Sequence, residues 1–195
     1  MPNERLGMDE AVGPDLRRAD PSRMYDYYLG GASNLAVDRQ AAEKVLAVLP
    51  EVREVSVDNR AFLRRVVRYL VTEVGVTQFL DLGSGIPTMG SVHEITQRVN
   101  PACRVVYVDH EPIAVARTKK LLLGNDNATI IDADVRRPAE LFAQPEVHRL
   151  LDFDHPIAVL ALQLVPYMSD AERPAELIAH YRDACPVGSY LAIAH

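Results

Sequence analysis

The sequence predicts an α/β protein, a doubly wound parallel sheet with a helical region in front of it. Three observations carry this expectation. From Val76 onward, short apolar runs alternate with helical stretches of roughly 10–15 residues, the grammar of right-handed βαβ units. Those runs are almost continuously apolar, as strands covered on both faces must be. Before Val76 the periodicity is helical and no convincing strand is present.

Residues 1–20 mix charge, Gly and Pro without periodicity and read as a mobile N-terminal arm. Asp20-Pro21 is a helix start, with Asp as N-cap and Pro at the first helical position, and Gly30-Gly31 ends that helix. A second helix is expected from Asp38 to Leu49, before Pro50. A third begins near Asp58: Leu63, Val66, Val67, Leu70, Val71 and Val74 recur at helical spacing, and Gly75 closes it. Residues 21–75 are therefore read as a helical cap region and 76–195 as the sheet domain.

The first strand, Val76 to Leu82, runs into Gly83-Ser84-Gly85, and a helix with Val92, Ile95 and Val99 on one face follows. Strands are expected at Arg104–Asp109, Ala128–Asp132, Ile157–Leu164 and Ser189–His195. The helices between them are expected at Pro112–Leu123, around Ala139–Leu151, and over Ser169–Ala184, where Pro174 can divide the last into two pieces.

The chain has 195 residues, 48% hydrophobic and 25% charged, with a formal net charge of −6. That composition is globular. An acidic balance disfavours a general nucleic-acid binder. The longest clean apolar run, Ile157 to Leu162, falls far short of the roughly 20 residues that span a bilayer. The N-terminus lacks the apolar segment of a signal peptide. Two cysteines cannot build a disulfide framework, which points to a cytoplasmic setting. No His or Cys spacing resembles a metal site, and Arg64, Arg65 and Arg68 read as a solvated helical stripe.

In such sheets ligands bind beyond the carboxyl ends of the strands. Asp81, Gly83, Ser84 and Gly85 stand at the first end; Asp109, His110 and Glu111 at the second; Asp132, Asp134 and Val135 at the third; Gln163, Pro166 and Tyr167 at the fourth. A Gly-x-Gly turn alone says only that the backbone turns tightly or comes close to a ligand. A dinucleotide fingerprint would put a third glycine where Thr88 stands, and Asp81 would oppose a pyrophosphate as a like charge while suiting an ammonium group. Asp109 can accept from both hydroxyls of a ribose, and Asp134 from an adenine amino group, though each can equally be a strand-end acid or a helix cap. Together these groups suit S-adenosylmethionine, which carries an ammonium, a sulfonium, a ribose and an adenine but no phosphate.

On these residues the chain resembles a class I S-adenosylmethionine-dependent methyltransferase with its Rossmann-like sheet. It is similar in particular to an actinobacterial S-adenosyl methyltransferase family formerly carried as a domain of unknown function. The resemblance rests on Arg23-Met-Tyr25-Asp26-Tyr-Tyr-Leu29-Gly30-Gly31 with Asn34 and Asp38, and on Asn59-Arg60-Ala-Phe62-Leu63. It continues through Phe79-Leu80-Asp81-Leu82-Gly83-Ser84-Gly85-Ile86-Pro87-Thr88 with Val92-His93-Glu94, and through Val106-Tyr107-Val108-Asp109. It spans roughly residues 21–195. Pro87-Thr88 departs from the broad class I glycine pattern but matches the family, which leaves open which amides touch the cofactor. The resemblance implies that Asp81, Gly83 and Gly85 face the methionine portion, Asp109 the ribose and Asp134 the adenine, with Ser84, His110, Val135 and Gln163 beside them. Such sheets have about seven strands, the last two an antiparallel hairpin. Five parallel strands are read here, so the chain is expected to be a segment of a longer protein or to lack that C-terminal hairpin.

Tyr25, Asp26, Gly30, Gly31 and Asn34 could form a lid with glycine hinges and aromatic walls, or simply a packing helix with its cap. His93 could face the pocket or the surface. Tyr167, Gln163 and His195 stand at strand ends next to the expected methyl position, and Tyr167 and His195 are the catalytic candidates, His195 as the one neutral-pH base by residue type. The leading reading is methyl transfer to a small-molecule acceptor. A cofactor-binding regulatory module without turnover, and an NAD-dependent dehydrogenase, are the alternatives.

Overall fold

The computed structural model of the chain describes residues 16–88 and 90–195. The arm read over residues 1–20 therefore lies for the most part outside the described residues. Five strands, β1 (Gln78–Leu82), β2 (Arg104–Asp109), β3 (Ala128–Asp132), β4 (Ala158–Leu162) and β5 (Tyr190–Ala194), form one sheet in the order β3-β2-β1-β4-β5. Every pairing is parallel. The order reverses at β1, which has β2 on one side and β4 on the other, so the crevice for a ligand opens above the carboxyl ends of β1 and β4.

Successive strand residues point to opposite faces, and two cores follow from that alternation. Phe79, Val105, Tyr107 and Leu160 pack under α3 (Val52–Tyr69), α4 (Val92–Val99) and α5 (Pro112–Leu121) through Leu63, Val67, Val92 and Val115. Leu80, Val106, Val108 and Val159 pack under α6 (Pro138–Phe142), α7 (Pro145–Leu150) and α8 (Pro174–Asp183) through Leu141, Val147, Leu177 and Tyr181. The long helix α3 is thus part of the layer on one face of the sheet. What lies outside that layer is α1 (Pro21–Tyr28) with α2 (Ala36–Val48).

Element types follow the sequence closely; boundaries differ where side chains found tertiary partners. Asp20 caps α1 as expected, its carboxylate accepting from the Ser22 N–H at 2.8 Å. Asp38 does not start α2. It sits in the first turn and accepts from the Leu35 N–H at 2.7 Å, so the helix begins at Ala36. α3 starts at Val52, well before Asp58, and its end widens into a π-helical turn, Leu70–Val74, closed by Gly75 at φ 81°. The helix expected around 139–151 is split into α6 and α7 at Pro145. The fourth strand stops at Leu162, because Gln163 takes the left-handed conformation at φ 58°. A short 3-10 turn, Asp170–Glu172, precedes α8. β5 is an edge of the described sheet, where Tyr190, Leu191 and Ile193 are exposed.

Candidate functional site

A cavity of about 290 Å³ opens above the ends of β1 and β4. Its floor is Asp81, Gly83, Ser84 and Gly85 after β1, and Leu162, Gln163 and Leu164 after β4. Asp109, His110, Asp134 and Val135 line one side. α1 contributes Asp20, Pro21, Ser22 and Tyr25, and α3 contributes Asn59 and Arg60. Gly83 and Gly85 have φ of 63° and 66°, a conformation that any side chain would strain. A Cβ on Gly83 would also lie 2.8 Å from Leu164 Cδ1, so the loop closes against the segment after β4.

The three acids occupy different environments. Asp81 is buried inside β1, and burial pushes its pKa up to about 7, Arg60 pulling it down and Asp109 pushing it further up. The Asp109 carboxylate is held by backbone: Oδ2 accepts from the Gly85 N–H at 2.7 Å and Oδ1 from the Glu111 N–H at 2.9 Å. Burial still raises its pKa above the ordinary carboxylate range. The Gly85 amide thus faces Asp109, which clasps the glycine loop to the end of β2. Asp134 is gripped side-on by the Arg136 guanidinium, with Nε and Nη2 at 2.8 and 2.7 Å, and that hydrogen bonding lowers its pKa. Arg136 also reaches Glu172 Oε1 at 2.8 Å, joining the loop after β3 to the 3-10 turn after β4 across the mouth of the cavity.

The N-terminal motif divides in two. Tyr25 lines the cavity; its hydroxyl donates to the Ser56 carbonyl at 2.9 Å and accepts from Asn59 Nδ2 at 2.9 Å. Asp26, Gly30, Gly31 and Asn34 lie outside the cavity lining. Asp26 is buried and accepts from the Ser33 N–H and from Asn34 Nδ2, which folds the chain back after α1. Gly31 is required there because an added Cβ would fall 2.1 Å from Asp26 Oδ1. Gly31→Ala is expected to displace Asp26 and cost about 2 kcal/mol, the loss of hydrogen bonds to a charged group, measurable by urea unfolding.

His93 is not a wall of the main cavity either. Its Nδ1 lies 2.8 Å from the Tyr107 hydroxyl, which also accepts from the His93 N–H at 2.9 Å, and both residues line a small pocket of about 20 Å³ that shares Arg60, Asp81, Ser84, Gly85 and Thr88 with the main cavity. Burial lowers the His93 pKa, against a smaller upward pull from Glu94. Tyr167 is at the cavity, with its pKa raised by burial. His195, at the end of β5, is exposed and lies outside the lining, because β5 is one strand beyond the switch point.

Sequence reasoning assigned no role to Arg60, Asn59 or Thr88, and these carry an informative signal. Asn59 Oδ1, Arg60 Nε, Ser84 Oγ and Thr88 Oγ1 are the buried side-chain polar atoms without a hydrogen-bond partner among the described residues, and all four residues line this one cavity. An unsatisfied buried polar atom costs about 1–3 kcal/mol. Four of them around one space mark a site built for a polar ligand. Asn59-Arg60 was legible as a motif, but nothing in helical periodicity separates Arg60 from the exposed stripe Arg64, Arg65 and Arg68.

A family model described as S-adenosyl methyltransferase matches residues 10–195. No curated protein matches the chain. The chain is 38% identical to a putative methyltransferase from Thermobifida fusca YX, covering 95% of this chain and 70% of that one, with a TM-score of 0.89. It is 34% identical to a DUF574 family protein from Streptomyces avermitilis MA-4680, covering 92% and 69%, with a TM-score of 0.88. The plantazolicin methyltransferase BpumL, solved with a pentazolic desmethylPZN analog and SAH, shares the fold at 16% identity and a TM-score of 0.51, over 88% of this chain and 56% of that one.

Proposed function

The chain belongs to the S-adenosyl methyltransferase family, and from that premise we propose that it moves a methyl group from S-adenosylmethionine to a small molecule admitted to the cavity above β1 and β4. S-adenosylmethionine-dependent methyl transfer is the general activity of such a chain and the class I Rossmann-like fold is present; the acceptor and the residue roles are our reading. The observation that carries it is the set of four orphaned polar atoms around a cavity floored by Asp81 and the glycine loop. The residues fit the cofactor: donors and acceptors unpaired by protein, acids on the floor, and, among the described lining residues, two arginines, of which Arg136 is already taken by Asp134 and Glu172.

In this reading Asp81 faces the ammonium group. Asp109 accepts from the ribose with the second lone pair of each oxygen, the first being taken by the amides of Gly85 and Glu111. Asp134, oriented by Arg136, accepts from the adenine amino group beside Val135. The α1 residues Asp20, Pro21, Ser22 and Tyr25 act as the cap, and the acceptor enters between them and Gln163, Leu164 and Tyr167.

When bound, the cofactor supplies a methyl group already activated by the sulfonium, so the protein's task is alignment and exclusion of water. Tyr167 and Tyr25 keep their protons, since burial raises both pKa values, and they act as hydrogen-bond donors or walls rather than as bases. An acceptor whose nucleophile is unprotonated at neutral pH suits this site. The scale of the cavity suits a small molecule. Among the described residues no helix is long and apolar enough to cross a membrane, and Cys103 and Cys185 are free, which fits the proposed cytoplasmic setting.

Calorimetric titration is the test. S-adenosylmethionine and S-adenosylhomocysteine are expected to bind the folded protein with one-to-one stoichiometry, and NADH is not. Heat from NADH alone would overturn the reading. Binding with no methyl transfer to any of a broad acceptor panel would replace it with a regulatory module.

A further inference from the structure

Building on the proposed donor, we infer that Arg60 reads the α-carboxylate of its amino-acid tail, so that the protein discriminates between sulfonium donors by that carboxylate. Arg60 and Asp81 line the same cavity, and among the described residues no salt bridge joins them. Arg60 Nε is buried without a partner, and the guanidinium makes one long hydrogen bond, from Nη2 to the Gly90 carbonyl at 3.4 Å. Asp81 accepts no hydrogen bond among the described residues, and no ion pair joins it to Arg60, although the two are close enough for each to shift the other's charge equilibrium. Partners placed only to neutralise one another would make contact. The cavity that both residues line is a slot for a zwitterionic ligand, with its anion toward Arg60 and its cation toward Asp81.

The remaining orphaned atoms sort the same way. The Ser84 and Thr88 hydroxyls are unpartnered and can donate to a carboxylate alongside Arg60. The Asn59 side chain is pinned by its own amide, since Nδ2 donates to Tyr25 Oη at 2.9 Å and that hydroxyl donates to the Ser56 carbonyl at 2.9 Å. This leaves Asn59 Oδ1 as an acceptor alongside Asp81. Three donors and two acceptors around one end of a cavity match a zwitterion. A phosphate would meet Asp81 as a like charge, and a lone ammonium would leave the buried Arg60 Nε without an acceptor. Asn59 and Arg60 stand on α3, so a helix that precedes the sheet supplies part of the cofactor site.

The test compares S-adenosylmethionine with its decarboxylated analogue, which keeps the sulfonium and the ammonium but lacks the carboxylate. Both are titrated calorimetrically into the wild-type chain and into Arg60→Gln, with thermal melting to confirm that the variant folds. A charge-assisted hydrogen bond of this kind corresponds to roughly 10–100-fold in affinity. The wild type is expected to prefer S-adenosylmethionine by that ratio, and Arg60→Gln to bring the ratio to about 1–3. Using the ratio cancels any effect of the variant on Asp81 and the shared ammonium. Equal binding of both donors by the wild type would overturn the inference, without need of any variant. So would a ratio that survives Arg60→Gln. Failure of the wild type to bind either donor or S-adenosylhomocysteine would instead sink the methyltransferase reading on which this rests.

Discussion

Asp81→Asn is expected to melt at a higher temperature than the parent at pH 8 while losing at least tenfold in affinity for S-adenosylmethionine. The reason is that Asp81 is buried with a pKa of about 7, against an ordinary value of 3.8. The folded chain therefore holds this proton more tightly than the unfolded chain does. Stability associated with the protonated form is fully present below pH about 4 and is lost as pH rises through 7. Above pH 8 the cost of keeping the carboxylate ionised amounts to roughly 4 kcal/mol at most. Asn is nearly isosteric and never ionises, so it removes that cost, which for a chain of this size corresponds to several °C. The difference between the two proteins should shrink steadily toward pH 4. Affinity for the cationic donor should move the opposite way, falling in the parent as pH drops below 7 and Asp81 takes up its proton. A variant that melts lower at pH 8, or that binds the donor undiminished, would show that Asp81 is a structural acid.

The second large effect concerns Arg23, which is 3% exposed and bonded in three directions. Its Nε donates to Asp38 Oδ2 at 2.8 Å, Nη1 to Glu111 Oε1 at 2.5 Å, and Nη2 to the Arg18 carbonyl at 2.7 Å. Both carboxylates are buried, at 0% and 2% exposure, and both have further duties. Asp38 accepts from the Asp20 and Leu35 amides. Glu111 caps α5 through the Ala114 N–H, and its own N–H holds Asp109. Arg23→Ala leaves two uncompensated buried carboxylates, and a loss of about 3–5 kcal/mol is expected in urea unfolding at pH 7. Arg23→Lys should recover little, because one ammonium cannot reproduce a fork that serves three acceptors. Burial pushes the Asp38 pKa up, but the hydrogen bonds from Arg23, Leu35 and Asp20 outweigh it and hold the value below the usual range. Its contribution is therefore present above pH about 4 and lost as pH falls through the lowered value. Because Glu111 touches both Arg23 and Asp109, the variant should also weaken donor binding. A donor affinity equal to the parent's would show that the Arg23–Glu111–Asp109 connection does not reach donor binding.

Most of the architecture was legible from β1 onward because a buried parallel strand has to be a short apolar run between turn signals, and the chain shows five. The ends of helices were less legible. α3 starts at Val52 because its first turns pack beside α1 rather than because a capping residue announces them. The acids Asp81, Asp109 and Asp134 could be placed at strand ends, and the structure gathers all three at one cavity. It does not bring His195, His93, Asp26, Gly30, Gly31 or Asn34 to that cavity. Asp26 and Asn34 bond to each other, and His93 bonds to Tyr107.

By itself the sequence determined the fold class, the family and the identity of the strand-end acids, because each rests on periodicity or on residues adjacent along the chain. The tertiary structure alone decided what those residues do with their polar atoms. It turned Asp109 toward the Gly85 amide, gave Asp134 to Arg136, and left the buried Arg60 Nε without a hydrogen-bond partner at the cavity that Asp81 also lines. Hydrogen-bond satisfaction depends on which groups meet across elements far apart in sequence, as Arg23 and Glu111 do across 88 residues, and no local pattern encodes such a meeting.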